Sequence, residues 1–488
     1  MDERIAIARS GARTVFLGSF ALHSTYNPEI EAERYLAELH IDPSTPFVIL
    51  IEPCLGYLVK HIRTQFPSIR ILSLHCSSFY SASKVLGTSD ATWYADSSIG
   101  LISFLEQHIT DAEAGLGRLI QWAPACSAYK TCTTQILKTC NEFIQRSVAN
   151  KRTLQTFGKR WLRNTFRLLD SIQRPSILEA GEAPLIVAAS GPSLEQACPL
   201  LAQSQKNTSS VLIAVSSAVP VLLAHGVKVD LVVASDGGSW ARYHLFETHR
   251  AKLPLAASMT AAIPSSCASE PLIILSEGKK WQNLILENLS LAAFVSPQRG
   301  TVAATALDLA LASTKNEIYL AGFDFSHRDL ASHARPYALD RFREDAASRL
   351  EPEYSYAFNR THTLDNKSSF NIYAAWFSGR AKNLEGRVHA IHSIHPSFPV
   401  RSICESIKKG SSVLPKLSIG TLNTEKASMR SSEKAFIALM AALQTEDEGG
   451  ELVWELSELL ACPAQAILLS NKLAEVYESY RKRLYDPC

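Results

Sequence analysis

The chain has 488 residues, 46% of them hydrophobic and 20% charged, with a formal net charge of +2. That length calls for two or three domains, and the composition is that of a globular protein with a sizeable core. The near-neutral charge gives no electrostatic reason for a nucleic-acid partner, and neither a charge-free apolar run of spanning length nor a basic, apolar leader is seen, so a soluble, cytoplasmic protein is expected.

Three parts follow in chain order. The first, residues 1–171, is expected to be an α/β domain. Phe47–Glu52 reads as a buried strand, Tyr57–Gln65 as a helix and Arg70–Leu74 as a second strand, which together make a βαβ unit. Helical patterns follow at Ile99–His108 and Thr131–Val148. The turn Glu52-Pro53-Cys54-Leu55-Gly56-Tyr57 stands where a glycine-rich nucleotide loop would stand, but it holds one glycine. The next strand ends in Ser73-Leu74-His75, with no acidic residue to meet a ribose. This part therefore reads as a structural or docking module. The ten cysteines of the chain include no Cys-x-x-Cys pair, and free thiols in a reducing compartment fit them better than a disulfide or zinc site.

The second part, residues 172–400, alternates strand and helix. Strands are expected at Leu185–Ala189, Val211–Val215, Leu231–Ser235, Leu272–Leu275 and Ile318–Ala321, and helices at Leu194–Gln203, Ala218–His225 and Val302–Ser313. Such alternation implies a Rossmann-like, mainly parallel sheet covered on both faces. The first strand breaks into Ser190-Gly191-Pro192-Ser193 before a helix. A short turn of this kind is expected to leave free backbone N–H groups at the strand's C-terminal end, a cradle for phosphate, with Gly191 leaving the space that a phosphate needs. The strand ends at Asp236 and at Gly322-Phe323-Asp324 fall on the same expected edge, and Gly300-Thr301 opens another helix there. Asp236 and Asp324 are also residues that commonly cap a turn or helix.

The third part, residues 401–488, reads as helical, at Ser432–Gln444, Leu452–Leu460 and Ala464–Leu484, after a Ser/Lys/Thr-rich linker from Lys408 to Ser432. A bundle serving homo-oligomerisation or partner binding is its expected role.

Ser190-Gly191-Pro192-Ser193-Leu194, then Val229 to Asp236, then Gly300-Thr301-Val302-Ala303, then Ile318 to Phe325, in that order along one chain, resemble the motility accessory factor (Maf) family. His23-Ser24-Thr25-Tyr26-Asn27-Pro28 and Leu55-Gly56-Tyr57 resemble the N-terminal motifs of that family. Its central domain is shared with the 6-hydroxymethylpterin pyrophosphokinases and is similar to that of bacterial sialyltransferases. The resemblance implies a flagellin glycosyltransferase that moves a nonulosonic sugar from a CMP-activated donor to a Ser or Thr hydroxyl. It also implies that Ser190 to Ser193 and Thr301 hold phosphate, ribose or sugar carboxylate, and that Asp236 meets the ribose while Asp324 shapes the cleft. Two departures from the sialyltransferases stand out. Ala189-Ser190-Gly191 replaces their Gly-Asn-Gly, and the loop after Asp324-Phe325 lacks their paired tyrosines, with Tyr337, Tyr354 and Tyr356 further on as candidate substitutes.

A histidine is the natural base for the acceptor proton near neutral pH. His362, in the turn Thr361–Asn366 ahead of a helical pattern Ile372–Leu384, is the first candidate; His333, closer in sequence to Asp324, is the second, and His327 a third. His389, His392 and His395 alternate along a strand-like run and cannot all converge on one metal. Two other functions fit the same residues. One is an ATP-dependent pyrophosphokinase in which Asp236 and Asp324 hold Mg2+. The other is a non-catalytic, flagellin-binding accessory protein.

Overall fold

Five consecutive apolar residues, Phe47–Ile51, are all buried, and they form an inner strand of a parallel sheet. The structure, a computed structural model, describes residues 3–82, 87–110, 113–207, 210–297, 300–366, 377, 384, 386–391, 414–419, 429–447 and 449–485. It divides into two compact units, Met1–Leu154 and Gln155–Cys488. A 42-residue helix, Lys130–Ser171, runs through the division point, so its last part belongs with the second unit and not with the N-terminal part that the sequence suggested.

The first unit opens with an antiparallel sheet of β1 (Glu3–Ile7), β2 (Arg13–Leu17) and β3 (Phe20–Ala21). Asn27 then caps the helix Pro28–Leu39, its side chain accepting from the N–H groups of Glu29 and Ile30. A parallel sheet follows, made of β4 (Phe47–Ile51), β5 (Arg70–His75), β6 (Ala91–Tyr94) and β7 (Arg118–Gln121) in the order β6-β5-β4-β7. The turn after β4 is not a ligand cradle. Glu52 and Cys54 have φ of 50° and 51°, and the Glu52 carboxylate is fully buried. One of its oxygens lies 3.1 Å from His75 Nδ1 and the other accepts from the Cys76 N–H at 2.6 Å, so it ties the end of β4 to the end of β5. The eight described cysteines are free thiols.

The second unit is built on one large sheet. Its strands are β8 (Arg174–Glu179), β9 (Leu185–Ala188), β10 (Val211–Val215), β11 (Leu231–Ala234), β12 (Leu255–Ser258), β13 (Pro271–Ser276), β14 (Phe294–Val295), β15 (Ile318–Ala321), β16 (Val388–Ala390) and β17 (Lys416–Ile419). The order is β16-β15-β9-β10-β11-β12-β13-β8-β17, with β14 also on β13, and every pair but β17–β8 is parallel. Leu185 sits between Val211 and Ile318 in register. The inner strands β9, β11, β12 and β15 are buried along their whole length, as parallel strands covered on both faces must be. The helix Val302–Ser313 shows why: eight of its twelve residues are buried, mostly Ala and Leu, and it packs against β9, β10 and β11. Each buried leucine there is worth about 1.5–3 kcal/mol over an exposed one.

Two differences from the sequence reading have simple causes. Leu255–Ser258 lacks β-branched residues and becomes a strand because its neighbours on both sides bury it. Lys416–Ile419 lies inside the expected linker, yet pairs antiparallel with β8 as an edge strand. The expected C-terminal helices are present at Ser431–Thr445, Glu451–Leu460 and Ala466–Tyr485. They pack against the rest of the unit: Lys280 pairs with Glu446 at 2.5 Å, and the Trp281 N–H donates to Glu455 at 3.1 Å.

One buried histidine of the first unit makes folding pH-dependent. His23 is 2% exposed, and its Nε2 accepts the Leu55 N–H at 3.2 Å, so protonation there would set donor against donor. Burial lowers its pKa to about 3. A group with a depressed cationic pKa binds fewer protons folded than unfolded, so stability is lost as pH falls below the unfolded value of about 6.5. Between pH 7 and pH 5 the loss from His23 alone should be on the order of 2 kcal/mol. Denaturant melts of wild type and His23→Gln at both pH values check this: the variant should show a shallower acid dependence, and equal slopes refute it.

Candidate functional site at the sheet switch point

The chain runs from β9 through β10, β11, β12 and β13 in one direction across the sheet, and β15 then lies on the other side of β9. Strand order therefore reverses between β9 and β15. In open α/β sheets this is where the loops at the strands' C-terminal ends part to form a ligand crevice. Ser190–Ser193 follows β9, Asp236 follows β11 and Gly322–Asp324 follows β15, so parallel pairing puts all of them on that one edge.

The turn Ser190–Ser193 is held differently from the sequence expectation. The Gly191 N–H donates to Gly322 O at 2.9 Å, the Leu194 N–H to Gly191 O at 3.0 Å, and the Ser193 N–H to Asp324 Oδ2 at 2.7 Å. Pro192 has no N–H. The backbone donors expected to cradle phosphate are thus largely consumed within the fold, and Asp324, 8% exposed, already places a carboxylate at the start of the helix Leu194–Asn207. Nor does Gly191 hold space for a ligand. A Cβ there would meet Gly322 O at 2.5 Å and the Asp324 carboxylate, so the glycine is needed for contact between the two loops. Gly322 has φ of 71° and would put a Cβ into Ala189 O.

Hydroxyl groups take over the polar work. Ser217 Oγ, just after β10, donates to Ser190 Oγ at 2.8 Å, and Ser193 Oγ is buried without a hydrogen-bond partner. Thr301 caps the helix Val302–Ser313 through Ala303 N–H at 3.4 Å, beside Gly300 at φ 77°. Asp236 Oδ1 accepts from the Gly238 N–H at 2.7 Å, the capping role open to an Asp at a strand end.

The loop after Asp324 folds back onto this turn. The Ala334 N–H donates to Ser190 O at 2.9 Å, and the Arg335 N–H donates to Glu195 at 2.7 Å. His333 is thereby set beside Ser190. Its Nδ1 lies 3.0 Å from Ser332 Oγ, and its ring stacks on Tyr337 at 4.3 Å between centroids. Tyr337 Oη in turn lies 3.5 Å from His244 Nε2. Burial lowers the pKa of His244, while the Asp236 charge opposes the shift, so the ring is held toward its neutral form. Arg343 covers Tyr337 at 5.4 Å and Tyr356 at 5.2 Å, and Arg335 and Arg343 each lie 3.5 Å from Asp340. His244 and Arg343 were not singled out in the sequence, because no local pattern marks them; His244 joins through Tyr337, and Arg343 lines the cleft with Tyr337 and Tyr356.

His362 is placed otherwise. The expected turn Thr361–Asn366 is the second half of a helix, Glu353–Asn366, and His362 is exposed on it, stacked on Phe358 at 6.2 Å. Glu353, Tyr356 and Ala357 of that helix line a cleft with His333 and Tyr337, and His362 is not among the cleft's lining residues. His327 Nδ1 lies 2.9 Å from Asp329 O on the loop surface. His389 is buried on β16 beside Tyr319, and Tyr354 is exposed. His392, His395 and most of Ile372–Leu384 lie outside the described residues. Asp236 and Asp324 hold different loops, and among the described residues no group of three His, Cys, Asp or Glu is placed to hold a metal.

The second unit is a Rossmann-like α/β fold whose strand-end loops gather at the switch point of its sheet. Residues 159–329 match the family described as 6-hydroxymethylpterin diphosphokinase MptE-like. An uncharacterized protein of Treponema pallidum (strain Nichols) is 29% identical over 308 residues, 62% of this chain and 66% of that protein, so the match spans just under two thirds of the relative. The fold is similar to that of the Maf glycosyltransferase from Magnetospirillum magneticum AMB-1, with a TM-score of 0.50 and 13% identity over 98% of this chain and 87% of that one. The chain therefore contains an MptE-like domain and shares the fold of a Maf glycosyltransferase. Among the described residues no helix is long and apolar enough to cross a membrane.

The clasp between the two loops can be tested by itself. Gly191→Ala should destabilise the protein by about 1–3 kcal/mol, as overpacking does. Asp324→Asn, which replaces a charged acceptor of a buried N–H by a neutral one, should cost less, about 1–2 kcal/mol. Urea unfolding followed by circular dichroism reads both, and an unchanged midpoint for Gly191→Ala would show that the loops are not in contact.

Proposed function

We propose that the chain is a glycosyltransferase that moves a nonulosonic, sialic acid-like sugar from a CMP-activated donor to a Ser or Thr hydroxyl of flagellin. The observation that carries the reading is the loop after Asp324 folding back onto the Ser190 turn, with the Ala334 N–H on Ser190 O and, next to it in the chain, His333 stacked on Tyr337. The similarity to a Maf glycosyltransferase fold supports it, as does the order of the motifs along the chain.

In this mechanism the acceptor oxygen attacks the anomeric carbon, the bond from that carbon to the phosphate oxygen breaks, and CMP leaves with the bonding electrons. The acceptor proton passes to His333. Stacking on Tyr337 fixes the plane of the imidazole, which is what a base must have before it can help. Ser190 and Ser193 are proposed to offer hydroxyl donors to ribose or phosphate, and Arg335 and Arg343, each paired with Asp340, line the cleft beside His333. His333 is preferred to His362 as the proposed base because it lines a cleft with Tyr337 and His362 does not.

A second reading has one observation in its favour, the family description of residues 159–329. It is an ATP-dependent pyrophosphokinase. Isothermal titration with CMP, CDP, UDP and ATP separates the two. CMP should bind between millimolar and micromolar, roughly −4 to −8 kcal/mol. ATP binding without CMP binding refutes the transferase reading and supports the kinase.

His333→Ala should lower sugar transfer by about 10²–10⁴-fold, the usual worth of a general base, with CMP affinity nearly unchanged. His362→Ala should leave transfer within a few-fold of wild type. The mass of intact flagellin from cells carrying each variant is the readout. Loss of the mass shift with His362→Ala alone returns the role to His362. No loss with either variant leaves the accessory-protein role.

A further inference from the structure

We propose a second anion site on the same edge of the central sheet, formed by Arg163, Arg167, Arg242 and Arg483 and suited to a small multivalent anion bearing phosphate or carboxylate groups. It is independent of the function proposed above.

Three separate chain segments place these arginines near one another, the charge of Arg483 acting on Arg163 and Arg167 and that of Arg242 on Arg167. Positions 160, 163 and 167 share one face of the helix Lys130–Ser171. Asn164 pins that stretch to the strand ends, its Nδ2 donating to Gly237 O at 3.2 Å and Thr260 O at 3.0 Å. Arg167 reaches Asn164 Oδ1 at 3.5 Å. Arg242 lies in the 3-10 segment Ser239–Leu245, which begins directly after Gly238, and bonds Ser239 O at 3.4 Å. Arg483 comes one helical turn after Tyr480, whose hydroxyl donates to Asp170 at 2.8 Å and whose ring lies 5.8 Å from Phe166.

Among the described residues none of the four arginines has a carboxylate within ion-pair distance. The neighbouring Asp170 is already engaged, accepting from Ser432 N–H at 2.8 Å, Ser432 Oγ at 2.7 Å and Tyr480. Arg163 and Arg167 are half-buried, and burial followed by the charges of neighbouring arginines pushes the pKa of both down. A guanidinium does not escape by losing its proton near neutral pH. The repulsion therefore stays in the folded protein unless an anion relieves it, and the planar fork of arginine fits phosphate and carboxylate oxygens in pairs. Convergence from three segments on a half-buried pair favours a compact anion over a polypeptide laid along a row. The ends of β9 and β11 are two strand spacings apart, about 10 Å, which sets this cluster off from the Ser190 turn.

Thermal unfolding of the full chain in chloride, phosphate and citrate at matched ionic strength is the test. Wild type should melt about 2–4 °C higher in phosphate or citrate than in chloride. The double variant Arg163→Gln/Arg167→Gln should lose that gain. In chloride it should melt no lower than wild type, because removing like charges relieves repulsion. The Lys pair, which keeps charge without the fork, should retain part of the gain. Equal anion gains in wild type and the Gln pair overturn the proposal, and so does a Gln pair that melts lower in chloride. The citrate gain should persist with saturating CMP. If CMP abolishes it, the anion occupies the nucleotide crevice and the second site fails while the nucleotide reading stands. A hexaglutamate peptide that binds more tightly than citrate overturns the small-anion assignment in favour of a protein partner.

Discussion

The Asp324 carboxylate closes the ligand edge of the central sheet. Its Oδ2 takes the Ser193 N–H, and around that bond the loops after β9 and β15 meet at glycines on both sides, Gly191 and Gly322. The switch point is a topological fact, but an open crevice there is only a gap between diverging loops. The buried charge-assisted bond turns the gap into a fixed wall, since a buried carboxylate without its donor would be costly. The loop after Asp324 hangs from this wall. Ser190 is held by the Ala334 N–H, and through that bond the position of His333 is set relative to the turn.

Much of the central sheet was legible in the sequence, because parallel strands covered on both faces read as continuous apolar runs. Val211–Val215 and Ile318–Ala321 needed no context. The strand Leu255–Ser258 did, since small residues become a strand only when neighbours bury them. The site was half legible. Ser190–Ser193, Asp236 and Asp324 stand at strand ends and announce themselves. What those groups bind to was not legible, because a loop's backbone donors look free until the partner loop is known. The sequence put His362 ahead of His333 on local spacing, which cannot show the bond from Ala334 to Ser190, since that bond joins residues far apart in the chain. His244 had no signal at all.

The two units share a device and use it oppositely. In the first, strand order also reverses, between β4 and β7, so the turn Glu52–Gly56 stands at a switch point. There the position is filled from within by Glu52 bonded to His75 and the Cys76 N–H, all largely removed from water. In the second, Asp324, after the flanking strand β15, reaches inward to the Ser193 N–H after the central strand β9. The same topology thus carries a buried carboxylate in both units, after the central strand in one and after a flanking strand in the other.

The stretch 155–171 has a consequence for how the protein is made. Through Asn164 it fastens the ends of β11 and β12, and through Asp170 it is itself fastened by Ser432 and by Tyr480, a partner 310 positions away. Closing so long a loop is slow compared with forming the local βα units. During synthesis the sheet can assemble before the helix Ala466–Tyr485 emerges, but the edge that carries Gly237 and Thr260 acquires its final support only once that helix has left the ribosome. A nascent protein stalled before Ala466 would hold a nearly complete sheet with an unfinished rim.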